Sequence, residues 1–77
     1  MAQKKLFETD LGALAKRFRI QAKKKRAQAA REMRVSQTSI FNAEESREQS
    51  LLKLRMRIIE KYSPFKVIGP VFYLERK

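Results

Sequence analysis

Two short helical segments joined by a tight turn occupy the middle of the sequence, and they constrain the fold more than any other stretch. Residues 26–46 read RAQAAREMRVSQTSIFNAEES. The pattern predicts a helix over about 26–33, a turn through Arg34 and Val35, and a second helix over about 37–44. Ser36 can cap the second helix, because its hydroxyl can accept a bond from a free amide of the first turn. This layout is that of a helix-turn-helix.

The two predicted helices each have an apolar and a polar side. The small and apolar residues that can face one side are Ala29, Ala30, Met33, Val35, Ile40 and Ala43. The other side of the second helix then carries Gln37, Thr38, Phe41 and Asn42. Gln and Asn side chains place a donor beside an acceptor, which suits the edge of adenine in the major groove. We therefore predict that this side reads DNA bases.

Composition restricts the class of function. The chain has 77 residues and a net charge of +11, which allows one domain with a small core and makes nucleic acid the first candidate partner, an anionic membrane the second. There is no Cys and no His, so disulfides, the usual zinc ligands and the commonest general base are missing. We predict no metal site, no cofactor and no enzymatic activity. The chain shows no signal-peptide pattern and no run of 18 apolar residues, so a cytoplasmic location is expected.

Basic residues crowd around the start of the two-helix unit. Between Lys16 and Arg34 there are nine of them against one acid, Glu32. A charge run of this kind is usually a solvated face. Here, however, the compensating acids are missing at the place where a backbone phosphate would lie. The run therefore favours a contact with DNA phosphates.

Helical periodicity extends the domain on both sides of this unit. Leu11, Leu14, Ala15, Phe18 and Ala22 predict a helix that starts from a cap at Thr9 or Asp10 and runs to about Lys23. Ser50 can cap a last helix over about 51–62. That helix has two apolar stripes, and the second would be exposed in a monomer, which is typical of an interface. The two stripes are Leu52, Met56, Ile59 and Tyr62, and beside them Leu51, Leu54 and Ile58.

The C-terminal segment is predicted to be extended. Ser63 and Pro64 end the last helix, and residues 65–74 are rich in β-branched and aromatic side chains. Pro70 is poorly placed in a tight type I turn, so one long strand with a bulge or bend is preferred to a hairpin. A lone strand in a helical chain needs a partner, and a second copy of the chain can supply it; a disordered tail is the alternative. The predicted dimer interface comprises Leu51, Leu54, Ile58, Phe65, Val67, Val71, Phe72 and Tyr73. The resulting division is a flexible basic arm (1–8), a DNA-binding domain (9–62) and a dimerisation strand (63–77).

Four features of the sequence are typical of one known family: Arg19, the pair Ala29 and Ala30, the run VSQTSI from Val35 to Ile40, and Glu44. With these features, residues 11–62 resemble the Cro/C1 type, also called XRE, of helix-turn-helix proteins. The resemblance implies a mainly helical, lambda-repressor-like domain of four to five helices, with a C-terminal strand added here. It also implies a buried structural ion pair between Arg19 and Glu44, and base contacts from the four residues on the polar side of the second helix.

Within this resemblance, some positions stand out. The position of Arg26 commonly holds a Gln that contacts phosphate, and Arg would bind a phosphate more strongly. Phe41 occupies a position that is more often polar, and it can either meet a thymine methyl or pack beneath the helix as core. The family's glycines near Lys23, at Arg34 and at Ser46 are absent. The residues predicted to contact phosphate are Lys25, Arg26, Ser36, Ser39 and Arg47.

The last helix followed by a strand is similar to antitoxins of the HipB type, whose terminal strand pairs with the same strand of a second subunit. This resemblance implies a homodimeric, sequence-specific repressor of a palindromic operator, which autoregulates its operon and neutralises a HipA-like kinase toxin. A phage or restriction-control regulator is the nearest alternative. A non-specific nucleic-acid packager or RNA binder is another, because it would also explain the charge. A membrane-surface peptide is disfavoured, since the basic residues do not lie opposite one continuous apolar stripe.

Overall fold

A computed structural model describes residues 7–46, 51–69 and 72–77. In these ranges the chain is mainly helical, with a small antiparallel sheet at its C-terminal end. No helix in them is long and apolar enough to cross a bilayer. The elements in chain order are α1 (Glu8–Gln21), α2 (Arg26–Met33), α3 (Gln37–Glu45), α4 (Leu52–Tyr62), β1 (Phe65–Ile68) and β2 (Tyr73–Arg76).

The central pair of helices has the predicted bounds to within one residue. α2 covers residues 26–33, and α3 continues to Glu45, one residue further than expected. Arg34 ends α2 in the left-handed conformation, with φ 59° and ψ 44°. The N–H of Val35 then bonds to the carbonyl of Ala30 at 3.0 Å, which closes the end of the helix. The predicted apolar side is confirmed: five of its members are buried and Val35 packs against them.

α1 begins and ends earlier than predicted. Phe7 occupies the cap position, and Asp10 lies in the first turn, where its Oδ2 accepts the N–H of Phe7 at 2.8 Å. A carboxylate in the first turn both satisfies this donor and faces the positive end of the helix dipole, which explains the shift from the predicted cap. The helix ends at Gln21 because Lys23 adopts a left-handed φ of 60°. Residues 1–6 of the predicted arm, and the predicted cap Ser50, lie outside the described residues.

The core lies where α1 packs against α3 and α4, and where α2 packs against α3. Its largest fully buried side chains are Leu11, Ile40, Ile58 and Ile59. Between them the helix contacts are lined by small residues, since Ala15, Ala29, Ala30 and Ala43 are all buried. Small side chains let helix axes approach closely. α3 is therefore enclosed by three other helices, with one face left exposed.

A hydrogen-bonded cluster joins α2, α4 and the α1–α2 connection. Glu32 Oε2 accepts from Lys24 Nζ at 2.8 Å, and Glu32 Oε1 accepts from the hydroxyl of Tyr62 at 2.6 Å. The bond from Lys24, followed by that from Tyr62, lowers the pKa of Glu32. Burial, together with the Glu32 carboxylate, raises the pKa of Tyr62. At neutral pH, therefore, the carboxylate stays charged, the hydroxyl stays protonated, and the link between the helices persists.

The C-terminal segment is a hairpin, so the prediction of one long strand is wrong. β1 pairs antiparallel with β2, with Phe65 opposite Arg76 and Ile68 opposite Tyr73. The prediction rejected a hairpin because Pro70 fits a tight turn poorly. The strands are, however, separated by four residues, 69–72, and a longer connection does not carry that restriction. β1 packs on α4. The strand thus has its partner within its own chain, and the need for a second copy no longer follows from a lone strand.

Candidate nucleic-acid interface

The N-terminal end of α3 is capped by its immediate neighbour in the sequence. Ser36 is extended, and its Oγ accepts the N–H of Ser39 at 3.0 Å, which confirms the predicted cap. The hydroxyls of the same two residues also lie 2.9 Å apart. Both of these predicted phosphate contacts are therefore at the first turn of α3. Free amides and the helix dipole favour an anion at such a position.

The C-terminal end of α3 is held by an ion-pair cluster. The side chain of Glu44 is completely buried. Its oxygens accept from Arg19 Nε at 2.6 Å, Arg19 Nη2 at 3.0 Å and Arg26 Nε at 3.0 Å. Arg19 Nη1 also donates to the carbonyl of Lys24 at 2.7 Å. The two residues for which the resemblance implies an ion pair are thus in contact, and they orient α3 relative to α1.

Two further residues at this end were not identified as functional from the sequence. Arg55 is buried, and it donates from Nε to the carbonyl of Ala43 at 2.8 Å and from Nη2 to that of Ser46 at 2.6 Å. It therefore donates hydrogen bonds to carbonyls at the end of α3, where its positive charge also interacts favourably with the negative end of the helix dipole. A Cβ on Gly12 would lie 2.9 Å from the same Ala43 oxygen, so this glycine allows α1 to approach α3.

The role of Arg55 could have been recognised from the sequence. It lies four residues after Leu51 and three before Ile58, within the apolar side of α4. An arginine on the apolar face of a helix is buried, so its guanidinium must find hydrogen-bond acceptors within the core. For Gly12, the only indication in the sequence was its position inside a predicted helix. Glycine there costs about 1 kcal/mol relative to alanine, so a packing reason for it is expected.

Between its two fixed ends, α3 presents one open face. Gln37, Thr38 and Phe41 are exposed, and Asn42 is half-exposed. Within the described part of the chain, the side chains of Gln37, Thr38 and Asn42 make no hydrogen bond, so their donors and acceptors are available to a ligand. Phe41 is 48% exposed, so the alternative that it packs beneath the helix is wrong.

Arg26, predicted to contact phosphate, is engaged within the protein. Its Nε bonds to Glu44 and its Nη2 donates to Glu45 Oε2 at 2.8 Å. Its guanidinium carbon lies 4.9 Å from the centre of the Phe41 ring. Glu45 also accepts from Lys16 Nζ at 2.6 Å, and this bond is the largest of the effects that lower the pKa of Glu45. Arg26 thus links the exposed face of α3 to the buried cluster beneath it.

Basic side chains flank α3 on both sides. Lys25 is exposed and directly precedes Arg26, whose guanidinium lies over Phe41. On the other side, Lys53 and Arg57 of α4 line a shallow groove together with Ser39. Ser39 lies roughly 160° around the helix axis from Phe41, since the two are two residues apart. Lys53 and Arg57 were not among the predicted phosphate contacts. The predicted contact Arg47 lies outside the described residues.

Two of the residues predicted at a dimer interface are buried within the single chain. Ile58 is fully buried and Val67 is 5% exposed, so both belong to the core of the single chain and have no surface to offer a partner. α4 packs against both α1 and β1. Val71 lies outside the described residues. The remaining five are half-buried: Leu51, Leu54, Phe65, Phe72 and Tyr73.

Comparison with known proteins gave no match to this chain among protein-family models, curated proteins or solved structures. A functional interpretation therefore depends on α3 and its surroundings. The relevant features are a fixed helix, an open polar face and basic residues on both sides of it.

Proposed function

We propose that this chain is a lambda-repressor-like, sequence-specific DNA-binding repressor that inserts α3 into the major groove. The observation that carries the proposal is the open face of α3, where Gln37 and Asn42 have unused amide groups on a helix fixed at both ends. An α-helix fits the major groove, and such amides can bond to both N6 and N7 of adenine. Fixed ends matter because base contacts need side chains held to within about half an ångström.

The basic residues beside α3 would supply the affinity. A helix in the major groove is bordered by two phosphate backbones. Lys53 and Arg57 lie beside Ser39 of α3, and the exposed Lys25 precedes Arg26, which lies over Phe41. A net charge of +11 adds long-range attraction to any duplex. Each phosphate contact releases counterions, so affinity should fall steeply with salt.

The test is selection of bound sequences from a random duplex library at about physiological salt, where phosphate attraction alone is muted. The expected result is a palindrome with half-sites about ten base pairs apart. Gln37→Ala should then lose about 1–3 kcal/mol on the enriched duplex and little on random DNA. Enrichment without a motif, or equal loss on both duplexes, would instead favour a non-specific packager or RNA binder.

A palindromic operator requires a homodimer, and the hairpin has one open edge at which two copies can pair. On the outer edge of β1, the N–H of Val67 already donates to Glu60 Oε2 at 3.3 Å. Backbone N–H groups alternate between the two edges of a strand, so those of Leu74 and Arg76 point away from β1. Within the described residues these two make no hydrogen bond. We infer that two copies pair antiparallel along β2.

This inference is tested with Arg76→Pro, which removes an outward N–H and keeps the bonds between β1 and β2. Sedimentation should show a weaker dimer than in the wild type. Arg76→Ala is the matched control, because it also loses the stacking of Arg76 over Phe65 but retains the N–H. Equal dimerisation by all three chains would exclude the β2 edge as the contact.

The resemblance to HipB-type antitoxins adds a narrower proposal, in which the repressor controls its own operon and neutralises a HipA-like kinase toxin. The hairpin differs from the single terminal strand of those antitoxins. The neighbouring gene distinguishes the possibilities: a kinase-like product whose toxicity is relieved by co-expression of this chain supports an antitoxin. A methyltransferase or integrase supports a restriction-control or phage regulator.

A further inference from the structure

We infer that Arg26 is a positioning residue that holds the ring of Phe41 against a thymine methyl, rather than a phosphate contact. The inference rests on the proposed function and specifies what one position of the recognition face reads. It replaces the role that the resemblance implies for Arg26. Three observations carry it: the bonds that Arg26 already makes, the exposure of Phe41, and the contact between the two side chains.

Arg26 is anchored on carboxylates that cannot easily release it. Its first partner, Glu44, is completely buried and is itself fixed by two bonds from Arg19. Its second partner, Glu45, is shared with Lys16. Turning Arg26 outwards to a phosphate would remove a cation from both carboxylates, one of them in the core. Breaking one half of a buried ion pair is among the most costly changes a protein can undergo.

The anchored guanidinium lies over one face of Phe41. With the guanidinium carbon 4.9 Å from the ring centre, the geometry is that of a cation–π contact, and the planar fork of arginine is suited to stack and donate at the same time. The ring nevertheless remains 48% exposed. A phenylalanine on an open helix face would otherwise sample several rotamers. Here the covered face restricts the ring, and the rest of it points to solvent.

A fixed apolar ring can recognise one feature of the major groove. Thymine presents a C5 methyl group there, whereas the other groups on the base edges are hydrogen-bond donors and acceptors, which a phenyl ring cannot satisfy. Phe41 therefore selects thymine at the base pair that it faces. Arg26 contributes by holding the ring in place, and its charge stays within the protein.

The experiment uses the duplex enriched by selection, with each thymine replaced in turn by deoxyuridine, which lacks only the methyl group. For wild-type protein, each half-site should contain one sensitive thymine. Replacing that thymine alone should weaken binding roughly four-fold, the value of one buried methyl group. Phe41→Ala should abolish this penalty. Arg26→Lys keeps a cation for the two carboxylates but lacks the stacking plane, so it should reduce the penalty to less than about two-fold while the salt dependence stays unchanged.

Arg26→Gln is a second variant, with Lys25→Gln as its matched control at the adjacent exposed cation. If Arg26 is a positioning residue, Arg26→Gln should reduce the thymine penalty and leave the slope of log affinity against log salt unaltered, whereas Lys25→Gln should lower the slope by about 0.9 per subunit and retain the penalty. The opposite pattern at Arg26 would overturn the inference. So would an enriched duplex in which no thymine is sensitive to loss of its methyl, which leaves the proposed function intact. Failure of the wild type to enrich any motif refutes both.

Discussion

The two ends of α3 are held in place by different means. At the start, Ser36 supplies one hydroxyl to an amide three residues away. At the end, Glu44 takes bonds from two arginines that belong to α1 and α2, while Arg55 reaches across from α4 to two carbonyls. The first arrangement is local and modest in energy, typically about 1 kcal/mol. The second depends on the whole fold, and it decides the angle at which the helix is presented.

The largest expected effect comes from breaking the buried ion pair at the far end. Glu44→Gln should lower the free energy of unfolding by about 3–5 kcal/mol, because it leaves the guanidinium of Arg19, 7% exposed, without its carboxylate. Arg19→Met should cost less, since Arg26 still neutralises Glu44. Urea unfolding measures both. If the two substitutions cost the same, Arg26 does not share the charge.

Gly12→Ala should cost about 1–3 kcal/mol, even though alanine is the better helix former. The added methyl would lie 2.9 Å from the carbonyl oxygen of Ala43, which also accepts from Arg55. Crowding of this kind outweighs the gain of about 1 kcal/mol in helix propensity. Gly69→Ala serves as a control, because a Cβ there meets only ring atoms of the Phe72 side chain, the nearest also at 2.9 Å. A thermal unfolding midpoint raised by Gly12→Ala would mean that α1 and α3 are not in tight contact.

At the local end, Ser36→Ala should destabilise by about 1 kcal/mol, through loss of the cap on the N–H of Ser39. Ser36→Asp should restore stability, since its carboxylate can accept the same bond and favours the helix dipole. Chemical denaturation of the three chains provides the comparison. Equal stability of the alanine and aspartate variants would show that the hydroxyl is dispensable.

The smallest effect is expected at the turn before α3. Arg34→Gly should change stability by no more than about 1 kcal/mol, in the stabilising direction, because it relieves a left-handed residue at φ 59° but adds freedom to the unfolded chain. Ser46→Gly is the matched control. Ser46 is extended, with φ −78°, so glycine there relieves nothing and should be neutral or destabilising. Stabilisation by both would point to an effect on the unfolded state alone.

What could be predicted from the sequence follows the same division between local and distant causes. The bounds of α2 and α3 and the cap at Ser36 depend on neighbouring residues, and a local pattern was enough to indicate them. The roles of Gly12 and Arg55 depend on contacts between α1, α3 and α4, which no local pattern specifies.

The prediction for the C-terminal segment was wrong for a related reason. Its strand pairing depends on four connecting residues and on the surface of α4, and a rule for tight turns was applied to a longer connection. At the candidate interface, the exposed face of α3 followed from helical periodicity. The ion pairs of Arg26 with Glu44 and Glu45 could not be predicted in this way, because they depend on how α2 packs against α3.

The open face of α3 also bears on how such a chain could evolve. Gln37, Thr38 and Asn42 contribute no side-chain hydrogen bond to the described part of the fold, whereas the bonds that hold α3 come from residues at its two ends and from other helices. If α3 reads DNA as proposed, substitutions at these three positions should therefore change the preferred target at little cost in stability. Target preference and foldability can drift separately, and a duplicated copy could acquire a new binding site within a few mutations.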